Sequence, residues 1–533
     1  MKGLKFLIHK DLDLGNKKRQ NLFERIGSKR FLIVSNRLPV VINRENEEWN
    51  IHPGTGGLIT ALAPIMKKNH GLWVGWLGDT EHVPYEELLA RFSDDYSYDL
   101  KPVLLTDEEI ERYYYGFSNE TLWPLFHDLL SYCKFDSANW AAYKDVNRKF
   151  AQTITEAVEP GDFIWIHDYH LTMVGRYLRE KGIKHRLAYF LHTPFPTFDL
   201  FRRLPWRKDL INSMLSYDLL GFQTLRDRRN FVECVKNIVP QAKIIIKRRK
   251  TLLRIDDRVI KVGNFPISID FDEFNKMAKT KEVADEAWYF HEKFGTNRLI
   301  LGIDRLDYTK GIPERLLAFE RALEKYPELQ GQLTLFQLLI PSRTPVPEYQ
   351  TVKEQLDALV GRISGRFSRP GWAPIHYMFR TLNRVKLIGC YKACEIALIT
   401  PLKDGMNLVA KEYCASSIDN EGVLILSEFA GAAEQLKSGA LIVNPYNLDQ
   451  TADAVYQAFK MDSNERRERM NKLRADIKRS DVHQWVKWFI ESSPDTIDSN
   501  LQAEILEDAV DEASLVDVGS GVLEETALNP DET

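Results

Sequence analysis

The sequence predicts an α/β protein built from two doubly wound domains, each a largely parallel sheet with helices on both faces. Three observations carry this. Strand-length apolar runs alternate with amphipathic stretches of helical period along most of the chain. The runs are continuous rather than alternating, as strands buried on both faces require. They also fall into two sets, separated by a joint containing Gly and Pro, KVGNFPISIDFDEF (261–274).

The first set comprises RFLIVS (30–35), FIWIH (163–167) and RLAYFLH (186–192). The second comprises RLILGID (298–304), QLTLFQLLI (332–340), EIALIT (395–400), VLILS (423–427) and ALIV (440–443). Between them lie segments such as PERLLAFERALEKYP (313–327), whose apolar residues recur at helical spacing. The predicted organisation is an N-terminal extension over 1–29, a first domain over 30–265 and a second over 266–480. A helical segment over 481–499 and an acidic tail over 500–533 follow.

At 533 residues, 44% hydrophobic and 28% charged, the chain has an ordinary globular composition, with length for roughly two to four domains. No run of about 18 apolar residues occurs, so no membrane span is expected. The N-terminus lacks the apolar core of a secretion signal. The five cysteines form no CxxC pair, and no histidine near Cys390 and Cys394 completes a zinc set. All five read as reduced core thiols, which suits a cytoplasmic location and predicts no metal. Net charge is −4, but residues 501–533 hold ten acids and no base, leaving 72 basic against 66 acidic residues elsewhere. That mild positive balance suits anionic small molecules and is too weak to argue for nucleic acid. The run KRRK (247–250) reads as a hairpin turn between two apolar runs.

In open parallel sheets, ligands bind outside the carboxyl ends of the strands. The residues there are unusually polar. Asn36-Arg37 follow the first run, His167-Asp168-Tyr169-His170 the second and His192-Thr193-Pro194 the third. In the second domain Asp304-Arg305-Leu306-Asp307-Tyr308-Thr309-Lys310-Gly311 and Ser342-Arg343 occupy equivalent places. A purely structural turn needs Gly, Asn or Pro rather than Arg and Lys.

Arg305 and Lys310 suit a diphosphate, Arg as a planar fork and Lys as a compact charge. The alternative is an ion pair with Asp304 or Asp307. The turn Gly54-Thr55-Gly56-Gly57 feeds a helix-like segment and either cradles a phosphate or is a plain loop. It is neither the dinucleotide fingerprint nor a P-loop, so hydride transfer and P-loop NTP hydrolysis lose support. The stretch PLKDGMNLVAKEY (401–413) ends a strand, turns and starts a helix. With a helix start near Asn407, the amides of residues 405–408 point outward and can hold hydroxyls or phosphate oxygens. Asp404 can accept from sugar hydroxyls, or act as the helix cap. Glu412 lies roughly 7–8 Å along the helix axis, about the distance from a diphosphate to the far edge of its ribose.

The strings SNRLP, GTGGL, LWVGW, YYYGFSNETLWP, WIHDYHL, FLHTPFP, YDLLGFQT, RLDYTKG, PSR, DGMNLVAKEY and LSEFAGAA occur in this order. Together, over roughly residues 30–495, they closely resemble the trehalose-6-phosphate synthases, retaining glycosyltransferases with two Rossmann-like domains facing across a cleft (GT-B type). The resemblance implies glucose transfer from a nucleotide diphosphate glucose, expected to be UDP-glucose, to glucose 6-phosphate. It implies no metal, no cofactor and no covalent enzyme intermediate. It places the donor diphosphate on Arg305, Lys310 and the backbone near Gly57. It places the donor glucose on Asp404 and the amides of Gly405, Met406, Asn407 and Leu408, and the ribose on Glu412. His192 would touch the transferred sugar and Asp168 the acceptor. Arg37, Tyr114, Trp123 and Arg343 match acceptor-phosphate positions, and Trp76 the acceptor sugar wall. The last helix, with Trp485 and Trp488, would pack back on the first domain.

Thr193, the N-terminal extension and the acidic tail depart from the family pattern without touching these residues. Expected partners are a nucleotide-sugar donor and a sugar-phosphate acceptor, with no nucleic acid and no membrane; a homo-oligomer stays open. Three rivals are a sister enzyme using glycerol 3-phosphate, an inactive regulatory subunit and a fused synthase–phosphatase. The intact donor set disfavours the second. The D-x-D at Asp270–Asp272 lies inside the inter-domain joint, and this, with no phosphatase-sized segment expected after residue 500, disfavours the third.

Overall fold

The computed structural model describes residues 30–493, apart from 46–47, 55–56, 79–82, 248–249, 295–297 and 343–346. The N-terminal extension, the acidic tail, Arg343 and the Thr55-Gly56 part of the glycine-rich turn therefore lie outside the described residues.

Two large sheets form. The first has nine strands in the order Asp99–Val103, Leu72–Trp76, Arg30–Arg37, Asp162–His167, Arg186–Phe190, Leu219–Phe222, Arg258–Asn264, Lys250–Ile255 and Lys243–Lys247. It is parallel as far as Arg258–Asn264 and ends in an antiparallel meander. The second has six parallel strands in the order Ile375–Phe379, Leu333–Ile340, Arg298–Arg305, Ile396–Ile399, Val423–Ser427 and Leu441–Val443.

The continuous apolar runs supply both faces of each sheet. In the Arg30–Arg37 strand, Leu32 and Val34 enter one core while Phe31 and Ile33 enter the other. Burying such a side chain contributes about 1.5–3 kcal/mol, so neither face can be given up to solvent. Helices cover both faces. Among them, Ile312–Lys325 buries Leu316, Phe319 and Leu323, the apolar stripe read in the 313–327 segment.

The expected joint is only partly a joint. Its first residues belong to the Arg258–Asn264 strand, which pairs in parallel with Leu219–Phe222. Asp270 then caps the helix Phe271–Met277 by accepting from the Glu273 amide, and lies 3.2 Å from His483. The D-x-D pair is thus part of a helix start. Strands either side of the basic run pair antiparallel, with Lys247 opposite Lys250.

The helix Val482–Glu491 packs on the first sheet. Phe489 stacks on Trp165 at 4.3 Å, and the buried Trp485 donates to the Phe265 carbonyl at 3.1 Å. Trp488, expected to pack beside Trp485, is 40% exposed, because the buried stripe runs through Val482, Trp485, Val486, Phe489 and Ile490 and leaves Trp488 at its edge. Four cysteines are buried and free; Cys133 is free but only partly buried, so it is not a core thiol. No described helix is long and apolar enough to cross a membrane.

Candidate active site

Each sheet has one place where strand order reverses. In the first it lies between Arg30–Arg37 and Asp162–His167, in the second between Arg298–Arg305 and Ile396–Ile399. At such a point the flanking connections leave in opposite directions and open a crevice at the strand ends. Arg37, Asp168, Arg305 and Asp404, singled out in the sequence, follow or end the four strands that border these crevices.

On the second sheet, the Arg298–Arg305 strand leads into a single tight turn, Tyr308–Lys310. Asp307 starts this turn by accepting from the Thr309 amide at 3.0 Å. Lys310 leaves the turn and meets Asp404, Nζ to Oδ2 at 2.6 Å. Burial opposes the charge on Asp404, but Lys310 and Asn407 hold its carboxyl below the ordinary value. The neighbouring acids are otherwise engaged. Asp304 pairs with the buried Arg315 at 2.6 Å, and Asp307 holds Thr309. Lys310 thus pairs across the switch point and not locally. Arg305 is exposed, with its guanidinium 6.0 Å from the Trp123 ring centroid.

The helix after Asp404 spans Leu408–Ser416, and its cap is Asn407, which accepts from the Ala410 amide. Asn407 takes φ 75°, a left-handed conformation that Asn tolerates. Asp404 is therefore not the cap. The amides of residues 405–407 precede the first helical turn rather than forming it, and Met406 N–H turns back to Asp404 at 3.4 Å. Only Leu408 of the four expected amides is helical. Glu412 lies on the helix, where Tyr391 donates to its Oε2 at 2.7 Å. Burial pushes the Glu412 carboxyl up.

On the first sheet, Arg37, Trp76 and Tyr114 form one cluster. The Arg37 guanidinium lies 4.5 Å from the Trp76 ring centroid and 5.8 Å from that of Tyr114. Sheet register puts Arg37 beside Trp76. Tyr114 arrives on the Ile110–Leu122 helix, a wide helix whose end bonds five residues back, Trp123 N–H to Ser118 O. Wide turns of this kind are rare and recur at functional sites. Trp123 does not join this cluster. It stands under Arg305, reached from Tyr114 through the rings of His170 and Tyr169.

Asp168 ends the adjacent strand in a left-handed conformation, φ 72°, that costs a non-glycine residue about 1–3 kcal/mol. Its Oδ1 accepts from the His192 amide at 3.2 Å. The His192 Nε2 lies 3.1 Å from Nδ1 of His167, so one ring donates its N–H to the other. Burial depresses His192 to about 3, which keeps the imidazole neutral. Beside it, the Thr193 hydroxyl is buried without a hydrogen-bond partner among the described residues.

The two crevices face each other at contact distance. A Cβ on Gly405 would lie 2.1 Å from the His192 carbonyl oxygen, and one on Gly57 would lie 2.1 Å from Leu408 Cδ1. Lys403 also forms an ion pair with Asp128 across the gap. The arrangement sets two cations, a helix start and a carboxylate opposite a neutral imidazole and an arginine–aromatic cluster. Such a cleft can hold an anionic leaving group on one side and a second anionic reactant on the other.

Sequence reading named Asp307 only as a possible ion-pair partner of the nearby cations, and missed Tyr391 and His127. Asp307 carried a signal, since Asp two residues before Thr is a turn-forming pair. The others become neighbours only through the fold.

The family model for glycosyltransferase family 20 matches residues 29–494. The chain belongs to this family. An alpha,alpha-trehalose-phosphate synthase [UDP-forming] A of Dictyostelium discoideum is 39% identical over 89% of the chain, which spans 64% of that relative's length. A bifunctional trehalose-6-phosphate synthase/phosphatase of Thermoproteus tenax is 39% identical over 87% of the chain, which spans 63% of it. The chain thus spans less than two thirds of these two relatives. It covers 98% of an alpha,alpha-trehalose-phosphate synthase [UDP-forming] of Pichia angusta, at 38% identity over 86% of its own length. Among solved structures, the Burkholderia xenovorans alpha,alpha-trehalose-phosphate synthase in complex with glucose-6-phosphate matches with a TM-score of 0.78 at 33% identity, over 87% of this chain and 99% of that one. An E. coli structure bound with UDP-2-fluoro glucose matches with a TM-score of 0.78 at 35% identity, over 87% of this chain and 98% of that one. The fold is therefore the two-domain GT-B arrangement expected from the motifs.

Proposed function

We propose that the protein is an alpha,alpha-trehalose-phosphate synthase, transferring glucose from UDP-glucose to glucose 6-phosphate with retention and releasing UDP. The observation that carries this reading is the close approach of Gly405 to the His192 carbonyl. It puts the Lys310–Asp404 pair and the His192–Asp168 pair at one cleft. Family membership supports the same chemistry. So do the glucose-6-phosphate and UDP-2-fluoro glucose bound in the related structures.

In this reading Arg305 and Lys310 hold the diphosphate and stabilise the charge that grows on it as the glycosidic bond breaks. Cations already positioned at the cleft do this with little reorganisation cost. Asp404 and the amides from Gly405 to Leu408 hold the donor glucose, and the carboxylate of Glu412 holds the ribose. His192 stays neutral and serves as a hydrogen-bond partner of the sugar rather than as a cation. Asp168 orients the acceptor, Trp76 lines its sugar, and Arg37 and Tyr114, with Trp123 and Arg343, take its phosphate. For retention, the acceptor oxygen arrives on the face the leaving group departs from, where a diphosphate oxygen can take its proton. The five free thiols support a reducing, cytoplasmic setting.

The test is a panel of UDP-, GDP- and ADP-glucose against glucose, glucose 6-phosphate, fructose 6-phosphate and glycerol 3-phosphate. It is scored by release of nucleoside diphosphate and by NMR of the product linkage. UDP release only with glucose 6-phosphate, and an α,α linkage, is the expected outcome. Preference for glycerol 3-phosphate, or no turnover with any pair, would overturn the reading.

A further inference from the structure

Tyr391 stands in the last turn of the helix Arg384–Ala393 and is 1% exposed. Its ring belongs to the core that Ala410 and Tyr413 of the neighbouring helix Leu408–Ser416 also enter. A phenylalanine would fill that space equally, so packing does not account for the hydroxyl. A buried tyrosine hydroxyl needs a partner, and here it donates to Glu412 Oε2 at 2.7 Å. Among the described residues no other side chain hydrogen-bonds this carboxylate. Arg384 favours its charged form and Glu273 opposes it, but the Arg384 guanidinium is turned to Glu273 at 3.1 Å.

That one hydrogen bond matters because of how glutamate is built. The torsion that turns its carboxylate is broad and two-fold, so the side chain's own sterics do not fix the plane of the two oxygens. An outside donor must. A carboxylate offers about four lone-pair sites, and the tyrosine hydroxyl fills one. Oε1 and the second site of Oε2 stay available to further donors. Adjacent hydroxyls on a ribose are such donors, and a carboxylate held in one plane can accept from both. Glu412 is only partly buried whereas Tyr391 is enclosed, so a ligand reaches the carboxylate and not the phenol.

We propose that Tyr391 is a positioning residue for donor selection: by holding the Glu412 carboxylate in one plane, it makes the cleft prefer ribonucleotide over deoxyribonucleotide donors. This rests on the functional reading above, in which Glu412 holds the donor ribose. Tyr391 and the ribose do not compete, since both donate and the carboxylate accepts from each at a separate site.

The test uses the full chain with UDP, 2′-deoxy-UDP and 3′-deoxy-UDP. Calorimetry gives the Kd of each, and the selectivity is the larger deoxy Kd divided by the Kd of UDP. The parent should give about tenfold or more, the usual loss of one charge-assisted bond. Tyr391→Phe keeps the ring and drops the hydroxyl, and the selectivity should fall by about threefold or more. Glu412→Ala should bring it to about one, and adding Tyr391→Phe to that variant should change it no further, because the hydroxyl then has nothing to position. A tyrosine that only supports the core would weaken all the ligands alike in Tyr391→Phe, and an unchanged selectivity overturns the proposal. So does a Tyr391→Phe effect that persists in Glu412→Ala, which would mean that the hydroxyl meets the ribose itself. If Tyr391→Phe does not fold, a crystal structure of the parent with UDP decides. A carboxylate bonded to both Tyr391 and a ribose hydroxyl upholds the proposal, and any other arrangement overturns it. A parent that turns over UDP-glucose but binds all the ligands equally overturns this inference and leaves the function standing. A parent that binds no UDP overturns both.

Discussion

The Lys310 ammonium lies 2.6 Å from the Asp404 carboxylate although 94 residues separate them, and their side chains are only 10% and 15% exposed. Each comes from a different side of the same switch point. The pair therefore fixes a cation at the mouth of the second sheet without a flexible loop to hold it there.

Replacing Lys310 by Met should lower kcat by about 10²–10³, the usual loss when one donor to a developing anion is removed. Arg305→Ala should lose a similar factor with the melting temperature unchanged, because Arg305 is exposed. Steady-state kinetics with UDP-glucose, alongside a thermal melt, checks both. Wild-type turnover in a folded variant would remove these residues from the mechanism.

Arg315→Ala should destabilise the protein by about 3–5 kcal/mol, the cost of leaving a buried charge unpaired. Arg315 is fully buried against Asp304 and also contacts Thr400 and Gln337. Urea denaturation gives the number, and a loss under about 1 kcal/mol, typical of surface pairs, would contradict it.

Gly405→Ala should keep the fold and lose at least about tenfold in turnover. The new methyl group would meet the His192 carbonyl at 2.1 Å and force the two crevices apart. Misplacing reacting groups by about 1 Å can cost about 10²-fold. An unchanged rate would mean that the approach is not needed for reaction.

Arg37→Ala should raise the KM for glucose 6-phosphate about tenfold or more while leaving UDP affinity within about twofold. Charge-assisted contacts contribute about 1.5–3 kcal/mol, and 1.4 kcal/mol is about a decade. Separate titration of the two ligands decides. Equal losses for both would place Arg37 outside the acceptor pocket.

His127 should make stability fall with acid. Burial lowers its folded pKa to about 4, against about 6.5 when unfolded. Between those values the unfolded chain binds the extra proton, so stability declines as pH drops through this window. The decline amounts to about 3 kcal/mol by pH 4. Denaturation of His127→Phe at pH 7 and pH 4 should show a drop smaller by about that amount; parallel curves would refute the assignment.

The parallel strands were legible because burial on both faces leaves an unbroken apolar run, as in FIWIH and VLILS. The hairpin around the basic run was legible too, but the Arg258–Asn264 strand was not, since its charged residues interrupt the apolar signal and its end was read into the joint. Strand-end chemistry flagged Arg305, Lys310, Asp404 and Glu412 before any geometry. Pairing was another matter. Asp304 and Asp307 are nearer to Lys310 in sequence than Asp404, and only the tertiary fold assigns them to Arg315 and Thr309 instead. The helix start near Asn407 was legible, and of the two roles left open for Asp404 the structure removes that of cap, because Asn407 in a left-handed conformation opens the helix itself.

The two crevices ride on separate sheets, joined near residues 264–270 and strapped by the helix Val482–Glu491, whose first amide bonds Ile269 O while its Phe489 lies on Trp165. Such a hinge acts as a caliper. A rotation of a few degrees at the joint becomes a displacement of ångströms at the jaws, because Lys310 and His192 move with whole sheets instead of with loops. Substitutions in the joint or strap, which line neither crevice, are therefore able to retune the gap between Lys310 and His192.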